Sequence, residues 1–153
     1  MLRTSIKTSI EIEASPERVR NVLLDFPSFP KWHSSFMAEM KVDSASKKVE
    51  QNSTISGLMN GVPFVADIIE CTSSILSWTG RSGPPIDSLF RGTRVFRIEP
   101  SQGGTILAHE ENFVGVMAWA LSAWLPLGWV TWKQFRKFNI DLKKEAEKQQ
   151  REQ

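Results

Sequence analysis

The stretch Thr105–Val114 carries the densest chemistry in this 153-residue sequence. Read as a strand, it puts Leu107, His109, Glu111 and Phe113 on one face and Ile106, Ala108, Glu110, Asn112 and Val114 on the other. The stretch before it, Thr93–Glu99, groups Arg94, Phe96 and Ile98 in the same way. A turn centred on Gln102-Gly103 sets Arg94 opposite Glu111 and Phe96 opposite His109. Phe96, Ile98, Leu107 and Phe113 make this the more apolar face, so Arg94, His109 and Glu111 are expected to point inward with them. Buried charges need partners. Two chemistries fit. In one, His109 is a general acid or base, Glu111 sets its tautomer, and Arg94 holds an oxyanion or carboxylate of a substrate. In the other, Arg94 and Glu111 satisfy each other and His109 is a hydrogen-bonding wall residue that orients a ligand.

Other chemistries lack their residues. There are two histidines, His33 and His109, and one cysteine, Cys71, with no Cys-x-x-Cys or His-x-x-x-His spacing. No metal site and no internal disulfide are expected from that set. No glycine-rich phosphate loop follows a strand, so no cofactor is expected. Ser122 stands without an elbow motif or a neighbouring base. Nineteen Lys and Arg against seventeen Asp and Glu leave a net charge of +2, too weak a bias for nucleic acid. His33, beside Trp32 on a proline-rich turn, reads as a surface histidine, with a place at a pocket mouth as the alternative. The first residues contain no apolar run of the length a secretory signal needs, and with a single thiol the expected compartment is the cytoplasm.

The elements that would position these side chains follow from patterning. Hydrophobic residues are 41% and charged residues 24%, the balance of a globular chain, and the length suits one ordinary domain over residues 1–153. Six Trp and nine Phe with no Tyr indicate a large apolar interior, or apolar surface kept for a ligand. Thr4–Glu13 alternates as a half-buried strand. Ser15-Pro16-Glu17 is a helix start, and Phe26-Pro27-Ser28-Phe29-Pro30 ends that helix before a short second helix or turn at Lys31-Trp32-His33. Strands are expected near 37–43, 49–59, 63–71 and 74–80, an irregular loop over 81–91, the hairpin just described, and a helix from about Met117 to Gln149. Strands segregated from helices make the fold class α+β. A curved antiparallel sheet wrapped around one long helix would leave a cavity between them.

Phe113–Trp132 is twenty residues without a charge, close to the length of a membrane span. Pro126 and Gly128 interrupt it, and its first residues belong to the preceding strand, so a cavity-lining helix is the better expectation. Trp119, Trp124 and Trp129 are spaced by five and fan around a helix, so not all can face a pocket. An outward Trp suits a peripheral membrane contact or a protein surface such as a homodimer interface.

Two stretches carry a family likeness. Ile10-Glu-Ile-Glu-Ala-Ser-Pro-Glu-Arg-Val19 followed by Asp25-Phe-Pro-Ser-Phe-Pro-Lys-Trp32 resembles the opening of SRPBCC, or START-like, proteins. Leu76-Ser-Trp78-x-Gly80-Arg81, Gly92-x-Arg-x-Phe96-x-Ile98, Gly103-Gly-Thr105 and His109-Glu-Glu111-x-Phe113-x-Gly115 resemble the polyketide cyclase/dehydrase-like branch. His33-Ser34 stands where many relatives carry Asn-Pro. The resemblance implies a helix-grip fold: about seven antiparallel strands curved around a long C-terminal helix, with one or two short helices after the first strand. It also implies a deep apolar pocket, for which Trp32, Trp78, Phe96, Leu107, Phe113, Trp119 and Trp124 are the lining candidates. The leading expectation is a binder of a hydrophobic or aromatic small molecule, lipid, polyketide or terpenoid-like. The alternatives are a cofactor-independent cyclase/dehydratase working through His109, Glu111 and Arg94, and an interaction module built on the Trp-rich helix.

Overall fold

Alternating apolar residues build the sheet first. The computed structural model describes residues 2–81, 85–122 and 124–153. Its strands are β1 (Arg3–Ile12), β2 (Met37–Val42), β3 (Thr54–Met59), β4 (Val62–Cys71), β5 (Ile75–Gly80), β6 (Arg91–Ser101) and β7 (Gly104–Val114). They form one antiparallel sheet in the order β1-β7-β6-β5-β4-β3-β2. The β6–β7 register matches the sequence expectation, with Arg94 opposite Glu111 and Phe96 opposite His109. The inward faces also match: Phe96, Ile98, Leu107 and Phe113 are buried, and so are Arg94 and His109. Irregular pairing between Ala38 and Lys41 on β2 and between Ile68 and Glu70 on β4 bends the sheet.

Two short helices follow β1, as expected, but the second occupies Phe26–Lys31, the stretch expected to end the first, rather than Lys31-Trp32-His33. Helix α1 (Pro16–Leu24) starts where Ser15 accepts the Arg18 N–H at 3.1 Å. A 3-10 helix, Phe26–Lys31, carries two prolines and buries Phe26 and Phe29. Two further expectations need correction. Strand β3 starts at Thr54 rather than near residue 49, because Lys47 and Asn52 adopt positive φ and turn the chain before the ladder begins. A four-residue helix, α2 (Ile86–Leu89), lies within the stretch expected to be loop, part of which falls outside the described residues.

The long C-terminal helix is α3 (Pro126–Arg151), not one helix from Met117. Pro126 sits in its first turn, where a missing N–H costs nothing, and holds Leu125 extended at φ −96, ψ 154. Ahead of it, Ala118–Leu121 is a separate 3-10 turn. Gly128 lets α3 pass against that turn: a Cβ there would lie 2.1 Å from the Ser122 carbonyl oxygen. Helix α3 packs on α1, β1 and β7, burying Phe135, Phe138, Asn139, Leu142 and Ala146 toward the sheet. Its far end is tied down where Glu147 accepts the Glu13 N–H at 3.0 Å and Lys143 donates to the Glu11 carbonyl at 2.9 Å. Among the described residues, no helix is long and apolar enough to cross a membrane.

Candidate functional site

The β6–β7 register delivers a cation and an anion to one point. Arg94 is 1% exposed, and both its Nε, at 3.2 Å, and a terminal nitrogen donate to Glu111 Oε2. The guanidinium lies between the rings of Phe36 and Phe135, 4.9 and 4.7 Å from their centroids, with Trp78 at 6.0 Å. Its outer nitrogens reach the thioether sulfurs of Met37 and Met59 at 3.2 and 3.6 Å. A buried charge is held here by an ion pair, aromatic faces and soft sulfur acceptors together.

Glu111 faces two ways. Oε2 is committed to Arg94, while Oε1 lies so close to Gly92 that a Cβ at that position would come within 2.4 Å of it. The missing side chain at Gly92 therefore makes room for the carboxylate. This carboxylate forms part of the wall of a recess of about 160 Å³ bounded by Met59, Phe64, Trp78, Phe90 and the cation Arg91, with Gly80 and Gly92 adding no side-chain bulk. Phe90 is set in place by stacking on Phe113 at 5.2 Å.

Below the recess the space between α3 and the sheet is packed. His109 is fully buried and stacked between Phe96 and Phe135, both at 4.3 Å, with Phe138 edge-on at 5.6 Å. Its Nδ1 meets Asn139 Oδ1 at 2.8 Å. Asn139 Nδ2 donates to Thr8 Oγ1, which donates in turn to the His109 carbonyl at 2.7 Å. With the Asn139 amide oriented by Thr8, its oxygen must accept, so His109 carries its proton on Nδ1 and leaves Nε2 bare. Nε2 has no hydrogen-bond partner among the described residues. Burial, and then the Arg94 charge, hold the His109 pKa well below its usual 6.5. Asn139, not Glu111, thus sets the tautomer.

His33 is buried, not on the surface as expected. Its Nδ1 lies 2.9 Å from Asp141 Oδ2 on α3, and its Nε2 accepts the Phe36 and Met37 N–H groups at 3.2 and 3.3 Å. Lys137 donates to the other Asp141 oxygen at 2.5 Å. The imidazole clamps α3 to the start of β2. Burial lowers its pKa, partly offset by Asp141.

The sequence family described as polyketide cyclase / dehydrase and lipid transport matches residues 3–147. The chain belongs to that family. No curated protein matches the sequence. Solved structures share the helix-grip fold at low identity. A hypothetical protein of Helicobacter pylori is 16% identical with a TM-score of 0.70, over 95% of this chain and 88% of that one. Norcoclaurine synthase of Thalictrum flavum is 8% identical with a TM-score of 0.68, over 95% and 94%. The Aha1 dimer of Colwellia psychrerythraea is 18% identical with a TM-score of 0.66, over 96% and 97%.

Within this family member, the expected site residues divide into groups. Glu111 and Trp78 line the recess, Arg94 is buried behind them in its pair with Glu111, and His109 lies deeper on the same face. Phe96, Leu107 and Phe113 are in the packed core rather than on the recess wall. Trp32 packs on Phe29 and Phe138 at 4.8 and 5.5 Å. Trp119 and Trp124 are 52% and 84% exposed, because the 3-10 turn packs on β1 and β7 through Ala118 and Leu121, which leaves Trp119 outward, and Trp124 lies ahead of the start of α3. The cavity expected between helix and sheet, on the order of several hundred Å³, is filled at the level of His109 by Phe96, Phe135 and Phe138. Sequence reasoning missed Met59, Phe64, Phe90, Gly92 and Asn139 at the site. Only Asn139 left a signal, as a lone amide inside the Trp132–Leu142 apolar stripe.

Proposed function

We propose that the chain binds a small hydrophobic or aromatic molecule at the recess, with a hydroxyl or amine of that ligand donating to Glu111. The observation that supports it most is the division of labour in the Glu111 carboxylate. Oε2 neutralises Arg94, while the carboxylate also fronts a recess walled by Phe64, Trp78 and Phe90. An apolar pocket with a small number of placed polar groups, here Glu111 and Arg91, is the usual form of a small-molecule site. An anionic ligand would face the Glu111 carboxylate, and Arg94 behind it already spends its donors on Glu111 and two sulfurs, which leaves the exposed Arg91 on the recess wall as its counter-charge. The family description, which includes lipid transport, agrees with a hydrophobic ligand.

Native mass spectrometry of the purified protein is expected to show a co-purifying small molecule. Titration with 2-naphthol, 2-methoxynaphthalene and 2-naphthoate then tests the chemistry, with the naphthol binding tightest. Gly80→Val adds bulk where a Cβ meets its nearest neighbour only at 3.8 Å, so it should block the recess without straining the fold. Naphthoate binding tightest, or binding indifferent to Gly80→Val, would overturn the assignment.

A second reading is favoured by the bare, buried His109 Nε2. A neutral imidazole with an open acceptor can abstract a proton, but this one is sealed between Phe96 and Phe135, so a cofactor-independent cyclase or dehydratase reading requires those rings to part and admit substrate to Nε2. His109→Gln should lower turnover of a polyketide- or terpenoid-like substrate by about a hundredfold or more while binding survives. Full turnover in that variant would remove this reading.

A further inference from the structure

The surface around the start of α3 is apolar and basic at once. Met117, Trp119, Trp124, Leu127, Trp129 and Val130 are all exposed, Trp124 at 84%. A folded chain seldom leaves three indoles in solvent along one short segment without a use for them. From Asn112 to Ile140 the sequence has no Asp or Glu, and its charged residues are Lys133, Arg136 and Lys137. All three are exposed on the outward side of α3. Arg3 and Arg91, also exposed, flank Val114 on the two neighbouring strands. Asp141, one residue beyond this acid-free stretch, pairs with Lys137 at 2.5 Å, and Lys133 and Arg136 lie over the Trp129 and Trp132 rings. A chain with a net charge of only +2 therefore sets Lys133 and Arg136 against Trp rings, with Arg3 and Arg91 at the strand ends nearby and Lys137 paired with Asp141.

We infer that this face docks on an anionic lipid bilayer. Trp side chains favour the headgroup level, with an apolar ring body and an N–H that stays wet. Lys and Arg beside them meet lipid phosphates, each strengthening association by about fivefold near an anionic surface. Lys133 Nζ already sits 4.3 Å over the Trp129 ring, pairing the two features in one place. A groove of about 350 Å³ between Ser35 and the Trp129, Lys133 and Lys137 side chains offers space for a headgroup. A second copy of this chain is a poorer occupant. A two-fold contact would bring Lys133 and Arg136 against their own copies.

The face also has a place relative to the recess. The Met117 N–H donates to the Leu89 carbonyl at 2.9 Å, and the next residue, Phe90, is a recess wall. Docking would bring the lipid surface beside the recess mouth. The bilayer contact does not depend on what the recess binds.

The test is co-sedimentation with vesicles, with intrinsic Trp emission read in parallel. Vesicles of phosphatidylcholine alone are compared with vesicles containing phosphatidylglycerol, at low and high salt. Association with the anionic vesicles and a blue shift are expected, weakening as salt rises. Trp124→Ser should weaken that association by about tenfold. Lys133→Glu with Arg136→Glu should weaken it by about tenfold or more. The charge-matched control Lys41→Glu with Lys48→Glu should leave it within about twofold. Equal association with neutral vesicles, loss in the control pair as large as at α3, or no association at all would overturn the inference. So would a dimer in sedimentation that Trp124→Ser abolishes, since the face would then be covered by a second copy.

Discussion

The two histidines are built alike and finished differently. Each offers Nδ1 to a side chain of α3, His33 to Asp141 and His109 to Asn139. Each sets its ring edge-on to the same Phe138, at 84° and 71°. His33 then accepts two backbone N–H groups at Nε2, and His109 accepts none. A satisfied buried polar group holds structure together, whereas an unsatisfied one is tolerated only against a stability cost. Similar surroundings thus produce a clamp in one place and an open acceptor in the other.

The Arg94–Glu111 pair sets the upper end of the scale against which the two histidines can be measured. Glu111→Ala would leave the guanidinium buried without its counter-charge, at a cost of about 3–5 kcal/mol in urea unfolding. A loss below about 1 kcal/mol would mean that the aromatic and thioether contacts hold the cation alone. His33→Phe keeps a ring but strands two N–H groups and an Asp141 oxygen, and should cost about 2–4 kcal/mol.

Acid should separate the two next. Both histidines have pKa values below 6.5 in the folded chain, His109 further than His33. The unfolded chain takes up protons below about 6.5 and the folded chain resists them. Their stabilising contribution is therefore full above that pH and is lost as pH falls through it toward the folded values. Stability should drop between pH 7 and pH 5 with a slope of up to about 1.4 kcal/mol per pH unit for each histidine. Unfolding curves of wild type and of each histidine variant over that window should show the larger loss of slope in the His109 variant. The smallest effect is expected for His109→Phe at neutral pH. It removes the bare nitrogen and strands only the Asn139 oxygen, so stability should stay within about 1 kcal/mol of wild type. Equal costs for the two Phe variants would erase the distinction between clamp and open acceptor.

The hairpin was the most legible part of the sequence. Alternation on both strands and a two-residue turn at Gln102-Gly103 determine which residues oppose each other, and Arg94 meets Glu111 as a result. The start of α1 was legible for the same reason, since Ser15 and Pro16 act within one turn. His33 was not legible because its partner is 108 residues away. No local pattern reports that a turn will be covered by a helix from the other end of the chain. The filling of the interior was half legible: Phe135 and Phe138 announce a buried stripe, but not how far it reaches into the groove. Trp119 and Trp124 were misplaced because they lie ahead of α3 rather than on it, and Gly128 and Pro126 decide where it begins through contacts with Ser122 and Leu125.

The uneven pairing of β2 has a consequence for life at high concentration. β2 is an outer strand of the sheet, and an outer strand is a template for strands of other molecules. Between Ala38 and Lys41 its ladder is interrupted, with Glu39 at φ 51 and both Glu39 and Lys41 exposed. A kinked, charged edge presents no continuous row of N–H and C=O groups to a newcomer. The same irregularity that bends the sheet around α3 thereby guards this edge against fibre-like stacking of one copy on the next.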